Sequence, residues 1–324
     1  MPQINPVEQL LSEFMEERHA LGYSYKTDQC VLLNFIKDFP MPINGEIEFT
    51  KEYVLQQTSP KPNQCINTRL RNIAAINCFL DFAIRKGCKA YKIPQKSLPK
   101  SPRNFRAYIF SDDEITRIIN AADSIPFNGQ CPNRHYQIPV MVRVLFNCGL
   151  RISELLNLRV CDVDMNNQIF TILDTKFHKN RLVPFSDVVS DSLNEYYSNV
   201  KFKSTESYLF CRPFSNEKYS LSGFHFNFQL LLRRAEIPFG GRGKGPRPHD
   251  IRHTFAVHCL NNWVISVVDI MAALPVLSRY MGHSGLTGTQ KYLQLTAQMY
   301  PSIIDNLEQQ FGDLIPLEVN NEKF

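Results

Sequence analysis

The chain has 324 residues, 44% hydrophobic and 21% charged, with a net charge of +5; this is a globular composition with room for two cores, since one core serves roughly 100–200 residues. No run approaches the ~20 apolar residues that span a bilayer, and the opening MPQINPVEQL lacks the basic-then-apolar pattern of a secretory signal, so a soluble, cytoplasmic protein without a membrane role is expected. The nine cysteines stand singly, with no C-x-x-C pair, which argues against a disulfide framework or a zinc knuckle and for reduced, mostly buried thiols.

In chain order, Asn5 before Pro6 is a helix-start signal, and Val7, Leu10, Leu11 and Phe14 recur at helical spacing, so a helix is expected over about 6–21, closed by Gly22. A second apolar-periodic run covers Cys30 to Phe39, and a short helix is expected after Thr50. From Asn67 to Lys86 the positions Leu70, Ile73, Ala74, Ile76, Phe79, Leu80 and Ala83 mark a longer amphipathic helix stopped by Gly87. The first hundred residues therefore read as a small all-helical domain. Charge is uneven along them: residues 1–60 hold four bases and nine acids, whereas 61–106 hold eleven bases and one acid, Asp81. A concentrated basic block attracts a phosphate backbone because neutralised phosphates release counterions; a solvated helix face followed by a charged linker has the same signature.

The segment IPQKSLPKSPRNFR interleaves Pro94, Pro99 and Pro102 with bases, which excludes regular helix and places a domain boundary there. Ser111 with Glu114 is a capping box opening the next helix, SDDEITRIINAAD. Helical patterns then dominate, apart from Gln168 to Pro184, where two β-rich runs flank a polar turn and predict a hairpin. Between Arg252 and His283, Pro275 is expected to break or restart a helix.

Four segments of the second domain hold residues suited to chemistry: NCGLRISELLNL, DTKFHKNRLVP, RPHDIRHTFA and YMGHSGLTGTQKYLQL. Taken singly each is weak, because a lone Arg before a helix is usually a surface charge and a helical Tyr usually packs. In order and type together they resemble the tyrosine recombinases, or phage integrase family, including its Xer-type members. The matches are Gly149, Leu150, Arg151, Ser153, Glu154 and Leu155; then Lys176, Lys179, Arg181, Val183 and Pro184; then His249, Arg252 and His253; then Gly282, His283 and Ser284, with Tyr292 nine residues after the histidine. The thirty residues between Arg252 and His283 exceed the compact family spacing, a departure that fits integrases and transposases of mobile elements better than a strict Xer enzyme.

The resemblance implies a mainly α fold with a small β-hairpin or sheet: a helical, SAM-like core-binding domain at 1–93, a basic Pro-rich linker at 94–106, and a mixed α/β catalytic domain at 107–324 with a C-terminal tail. It also implies a site-specific recombinase that cuts and rejoins double-stranded DNA through a 3′-phosphotyrosyl intermediate. Such an enzyme acts as a homotetramer on two DNA sites, clamped around the duplex, with an accessory protein or partner recombinase in some systems. Arg151 and Arg252 would hold the nonbridging oxygens, because guanidiniums bind them in fixed bidentate geometry. Tyr292 would be the nucleophile and Lys176 the acid for the leaving 5′ oxygen, while His249 and His283 would manage the tyrosine proton or donate to the phosphate. Glu154 is better placed to orient and neutralise than to react, and His253 to pack or bond behind the site. Arg69, Arg71, Lys86, Lys179, Arg181, Arg242 and Lys244 are candidate DNA contacts.

No cofactor or metal is expected. His249 and His253 have the spacing of a zinc pair, but Asp250 stands where H-E-x-x-H has Glu. The glycine-rich GGRGKGPRPHD run lacks P-loop spacing. The alternatives are DNA relaxation of the type IB topoisomerase kind, chromosome-dimer resolution, and a DNA-binding regulator built on an inactive catalytic fold.

Overall fold

A computed structural model of the chain describes residues 5–23, 25–40, 46–100, 107–173, 180–241, 245–266 and 268–283, and beyond these residues 289, 291–293 and 296. The chain divides into two compact units, Met1–Phe105 and Arg106–Phe324.

In the first unit α1 (Pro6–Ala20), α2 (Lys26–Ile36), α3 (Lys51–Gln57) and α4 (Ile66–Arg85) surround an aromatic core. The start signals act through side-chain caps: Asn5 Oδ1 accepts the Val7 N–H at 3.1 Å, and Thr50 Oγ1 accepts that of Tyr53 at 3.3 Å. Helix α4 begins earlier than the apolar period implies because the Cys65 sulfur takes the capping role, accepting the Thr68 N–H at 3.4 Å. Phe14, fully buried, meets Tyr25, Phe79 and Phe82 edge to face, the arrangement that aromatic quadrupoles favour. The unit is not purely helical: β1 (Glu48–Phe49) pairs in parallel with β2 (Lys89–Ala90). Two-residue strands carry no period for sequence to reveal. The Asn77 side chain holds both the N–H and the C=O of Ile93, at 3.1 and 2.9 Å, fastening the chain after β2 to α4. Gln95–Ser97 then makes a 3-10 turn within the stretch expected to be linker.

The second unit contains α5 (Asp112–Asp123), α6 (Arg134–Cys148), α7 (Ile152–Asn157), a sheet of β3 (Val163–Asp164), β4 (Ile169–Ile172) and β5 (Arg181–Pro184), then α8 (Asp187–Asn199), α9 (Leu221–Arg234), α10 (Pro248–Ile265) and α11 (Ile270–Tyr280). The Ser111–Glu114 capping box closes both ways, with Glu114 N–H to Ser111 at 3.2 Å and Ser111 N–H to Glu114 at 3.0 Å. Helix α6 is apolar around most of its surface and runs through the main core. The expected hairpin is β4–β5, antiparallel from Ile169↔Pro184 to Ile172↔Arg181, and β3 extends it on the β4 side. A second core joins α10, α11, Tyr292 and Leu293. Pro275 lies inside α11 and does not interrupt it. One proline removes one hydrogen bond, to the carbonyl four residues back, and the burial of Ile270, Leu274 and Leu277 in the second core compensates for that loss.

Candidate active site

The site begins where α6 stops. Gly149 takes a left-handed conformation at φ +58°, and a Cβ there would lie 2.3 Å from the Phe255 ring, so only glycine fits both the turn and the packing. The turn makes Arg151 the N-cap residue of α7, with its N–H donating to Glu154 Oε2 at 2.8 Å. Helix α10 starts at Pro248, where Asp250 Oδ2 accepts the Arg247 N–H at 2.8 Å, and its first turns carry His249, Arg252 and His253.

These elements converge on one carboxylate. Glu154 Oε1 accepts from Arg151 Nη1 at 2.6 Å and from Arg181 Nη1 at 3.0 Å; its Oε2 accepts from Arg181 Nη2 at 2.8 Å and lies 3.9 Å from Arg252 Nη1. The arginines also grip main-chain carbonyls of the approach to Tyr292: Arg151 Nη2 donates to Gly282 at 2.6 Å, Arg181 Nε to Tyr280 at 2.7 Å, and Arg252 Nη2 to Met281. Arg252 Nη1 donates to the Gly149 carbonyl at 2.8 Å. Side-chain exposure separates their roles: 34% for Arg151, 9% for Arg181 and 2% for Arg252. Burial, then the neighbouring Arg151 charge, brings the Arg252 guanidinium down to about 10, while Glu154 is held below the usual carboxylate range against its burial by Arg181 and Arg151.

Tyr292 is buried in the second core, with its hydroxyl 3.2 Å from His253 Nδ1 and its ring stacked at 6.0 Å on His283. Burial raises the phenol above its ordinary value and Arg252 opposes the rise. His283 lies between two partners that fix its tautomer. Arg252 Nη2, 3.3 Å from Nε2, can only donate; Nε2 therefore accepts, and Nδ1 carries the proton toward Thr289 Oγ1 at 2.8 Å. Burial pushes both His253 and His283 down to about 4, so both are neutral near pH 7. The His249 and His253 rings meet edge to face at 4.8 Å, and among the described residues no group of three potential ligands gathers to hold a metal ion.

The site thus brings together Arg151, Glu154, Arg181, Arg252, His253, His283 and Tyr292. Lys176, Lys179, Arg242, Lys244 and Ser284 lie outside the described residues. In the first unit Lys86 Nζ binds Glu13 at 2.8 Å, Arg69 Nε donates to the Thr58 carbonyl at 3.0 Å, and Arg71 is exposed. Sequence reading left out Thr289 and the carbonyls of Tyr280, Met281 and Gly282. The carbonyls have no side-chain signature, and Thr289 sits in an LTGT run with nothing to single it out.

Comparisons with known proteins give the family and the fold. The family model described as "Phage integrase family" matches residues 109–299. A protein of Sinorhizobium fredii (strain NBRC 101917 / NGR234), named provisionally as the integrase/recombinase y4rB, is 27% identical over 310 residues, covering 94% of this chain and 98% of its own. Two solved structures share the fold. One is the XerH site-specific recombinase bound to palindromic difH substrate, at TM-score 0.63 and 18% identity, over 94% of this chain and 86% of that one. The other is the Tn1549 transposon integrase in complex with circular intermediate DNA, at TM-score 0.60 and 16% identity, over 88% and 94%. The chain belongs to the phage integrase family and is a tyrosine recombinase, a DNA strand-transferring enzyme.

Proposed function

We propose that this recombinase cleaves and reseals duplex DNA through a 3′-phosphotyrosyl link at Tyr292 and that it moves a mobile element. The observation that carries the chemistry is the approach of the Tyr292 hydroxyl to a neutral histidine, 3.2 Å from His253 Nδ1, beside a guanidinium node centred on Glu154. Tyr292 Oη forms a bond to phosphorus and the bond to the 5′ oxygen breaks. The phenolic proton leaves through His253, whose Nδ1 is the near acceptor, and the 5′ oxygen takes its proton from Lys176, the acid that the family resemblance implies. The bond energy stays in the phosphotyrosine, so resealing needs no nucleotide.

Arg151, the most open of the three arginines, meets the phosphate directly, while Arg252 supplies charge from below. A direct Arg252 grip on the phosphate requires Met281 O or His283 Nε2 to give up its place. His249 faces solvent at the start of α10, where it can donate to a nonbridging oxygen. The N-terminal domain, about 1–93, and the basic stretch 94–106 grip the duplex, and four protomers act on two sites. Mobile-element use is supported by the integrase/recombinase relative spanning nearly the whole chain and by the long connection between Arg252 and His283.

The test incubates the full chain with fragmented genomic DNA of its source in the presence of a chelator, then denatures it. A DNA adduct that survives denaturant and vanishes in Tyr292→Phe is expected, and sequencing the trapped fragments identifies the target. An adduct that persists in Tyr292→Phe sinks the nucleophile. Trapped sites at a chromosome-dimer junction, or full-rate relaxation of any plasmid by a monomer, replace the mobile-element reading.

A further inference from the structure

We infer that Arg181 is a positioning residue whose task is to occupy the Glu154 carboxylate, so that Arg151 and Arg252 keep their positive charge for the DNA phosphate; this rests on the recombinase reading above. Arg181 is the hairpin arginine that sequence alone offers as a backbone contact. Its side chain is 9% exposed and its three donor nitrogens are engaged: Nη1 and Nη2 fork onto both Glu154 oxygens at 3.0 and 2.8 Å, and Nε reaches the Tyr280 carbonyl at 2.7 Å. A guanidinium placed in this way is turned inward, away from a backbone it would have to touch.

Charge explains why the arrangement matters. Arg151, Arg181 and Arg252 against Glu154 leave a node of three positive charges and one negative, a net of +2. Glu154 is needed locally, because it accepts both the Arg151 N–H and Nη1 and thereby orients the exposed guanidinium. Left alone it would also cancel one of the two charges that face the phosphate. Arg181 supplies the compensating charge from the buried side, in the bidentate geometry that lysine does not match. Gly282 makes room for the approach: a Cβ there would stand 2.9 Å from Arg181 Nη1 and 3.4 Å from Arg151 Nη1.

The net charge gives a test that a purely structural role would fail. Arg181→Gln reduces the node to +1, and at a separation of a few ångströms with an effective dielectric near 20 the loss of one charge slows single-turnover adduct formation about 100-fold. Adding Glu154→Gln restores +2 and is expected to bring the rate back to within about tenfold of the unsubstituted protein. If Arg181 merely holds the hairpin, the second substitution removes further hydrogen bonds, and the double variant is as slow as the single or slower; that result, with both variants folded by circular dichroism, overturns the inference.

Should Arg181→Gln not fold, Arg181→Lys decides: charge compensation keeps it within about tenfold of the unsubstituted rate, and a folded lysine variant losing 100-fold or more overturns the inference. Inorganic phosphate titrated calorimetrically into the full chain reads the same node without cleavage, with affinity expected to fall in Arg181→Gln and return in the double variant. No return overturns the inference. A missing adduct in the unsubstituted protein, or its survival in Tyr292→Phe, counts against the recombination chemistry and leaves the phosphate titration to decide on Arg181.

Discussion

In the N-terminal unit Arg85, Lys86, Lys89 and Lys92 each face one carboxylate at the surface, from Glu17, Glu13, Glu46 and Asp81, whereas in the catalytic unit three arginines share the single, largely buried Glu154. The first arrangement sets three acids from outside 61–106 against the +10 of that stretch, in which Asp81 is already counted. Exposed pairs of this kind contribute little to stability and weaken with salt. The second concentrates charge where water cannot screen it. The number of bases in a stretch therefore says less about phosphate chemistry than how many carboxylates reach them and how deeply. Arg69 and Arg71, near the start of α4, have no carboxylate partner among the described residues.

The largest effect that would sharpen this contrast is at Arg252. Replacing it with Ala is expected to slow single-turnover adduct formation by about 100–1,000-fold, the usual cost of losing one preorganised charged donor. Arg252→Lys should be nearly as slow, because one ammonium cannot serve Gly149, Met281 and His283 together. A loss below tenfold would place the working charge elsewhere.

Next is Gly149→Ala, expected to destabilise the catalytic unit by about 1–3 kcal/mol through its strained backbone and the Phe255 clash. Differential scanning calorimetry should show the lowered transition, and adding Phe255→Leu should recover the part due to crowding. Full stability in the single variant would break the account of how Arg151 is placed.

A further effect depends on pH. His253 and His283 sit near 4 in the folded protein against 6.5 when unfolded, so between these values the unfolded chain binds more protons. Their contribution is complete above pH 6.5 and is lost as pH falls toward 4. Urea midpoints measured at pH 7, 5.5 and 4.5 should decline, and His253→Phe should flatten the decline; an unchanged slope would mean that the ring is already solvated.

The smallest effects test the surface bases. Arg69→Ala and Arg71→Ala should each reduce the slope of log affinity against log salt by about 0.9, while Lys86→Ala, paired to Glu13, should leave it unchanged. Equal effects at all three positions would erase the distinction between paired and unpaired bases.

Much of this was legible in the sequence where a rule is local. The Asn5 and Ser111 caps, the hairpin strands and the sequence contexts of Arg151, Arg252, His283 and Tyr292 are written in neighbouring residues. Pro275 misled because burial outweighed a missing N–H, and the two-residue ladder of β1 and β2 is too short to have a period. The partnership of Arg181 with Glu154 spans 27 positions and was hidden by its plausibility as a phosphate contact. His253 was expected to pack or bond behind the site, but that its bond is to Tyr292, 39 positions away, acquires meaning only once α10 and residues 291–293 pack together.

The carbonyls of Met281 and Gly282 lend one more property to the enzyme. They occupy donors of Arg252 and Arg151, so the chain carries its own competitor for those N–H groups. A stray anion, or a DNA phosphate passing out of register, must displace these peptide oxygens before it gains anything. A phosphate delivered by a correctly seated duplex makes the same exchange with its other contacts already formed. On the proposed chemistry, discrimination against casual cutting is an internal exchange equilibrium, set by the main chain leading to Tyr292.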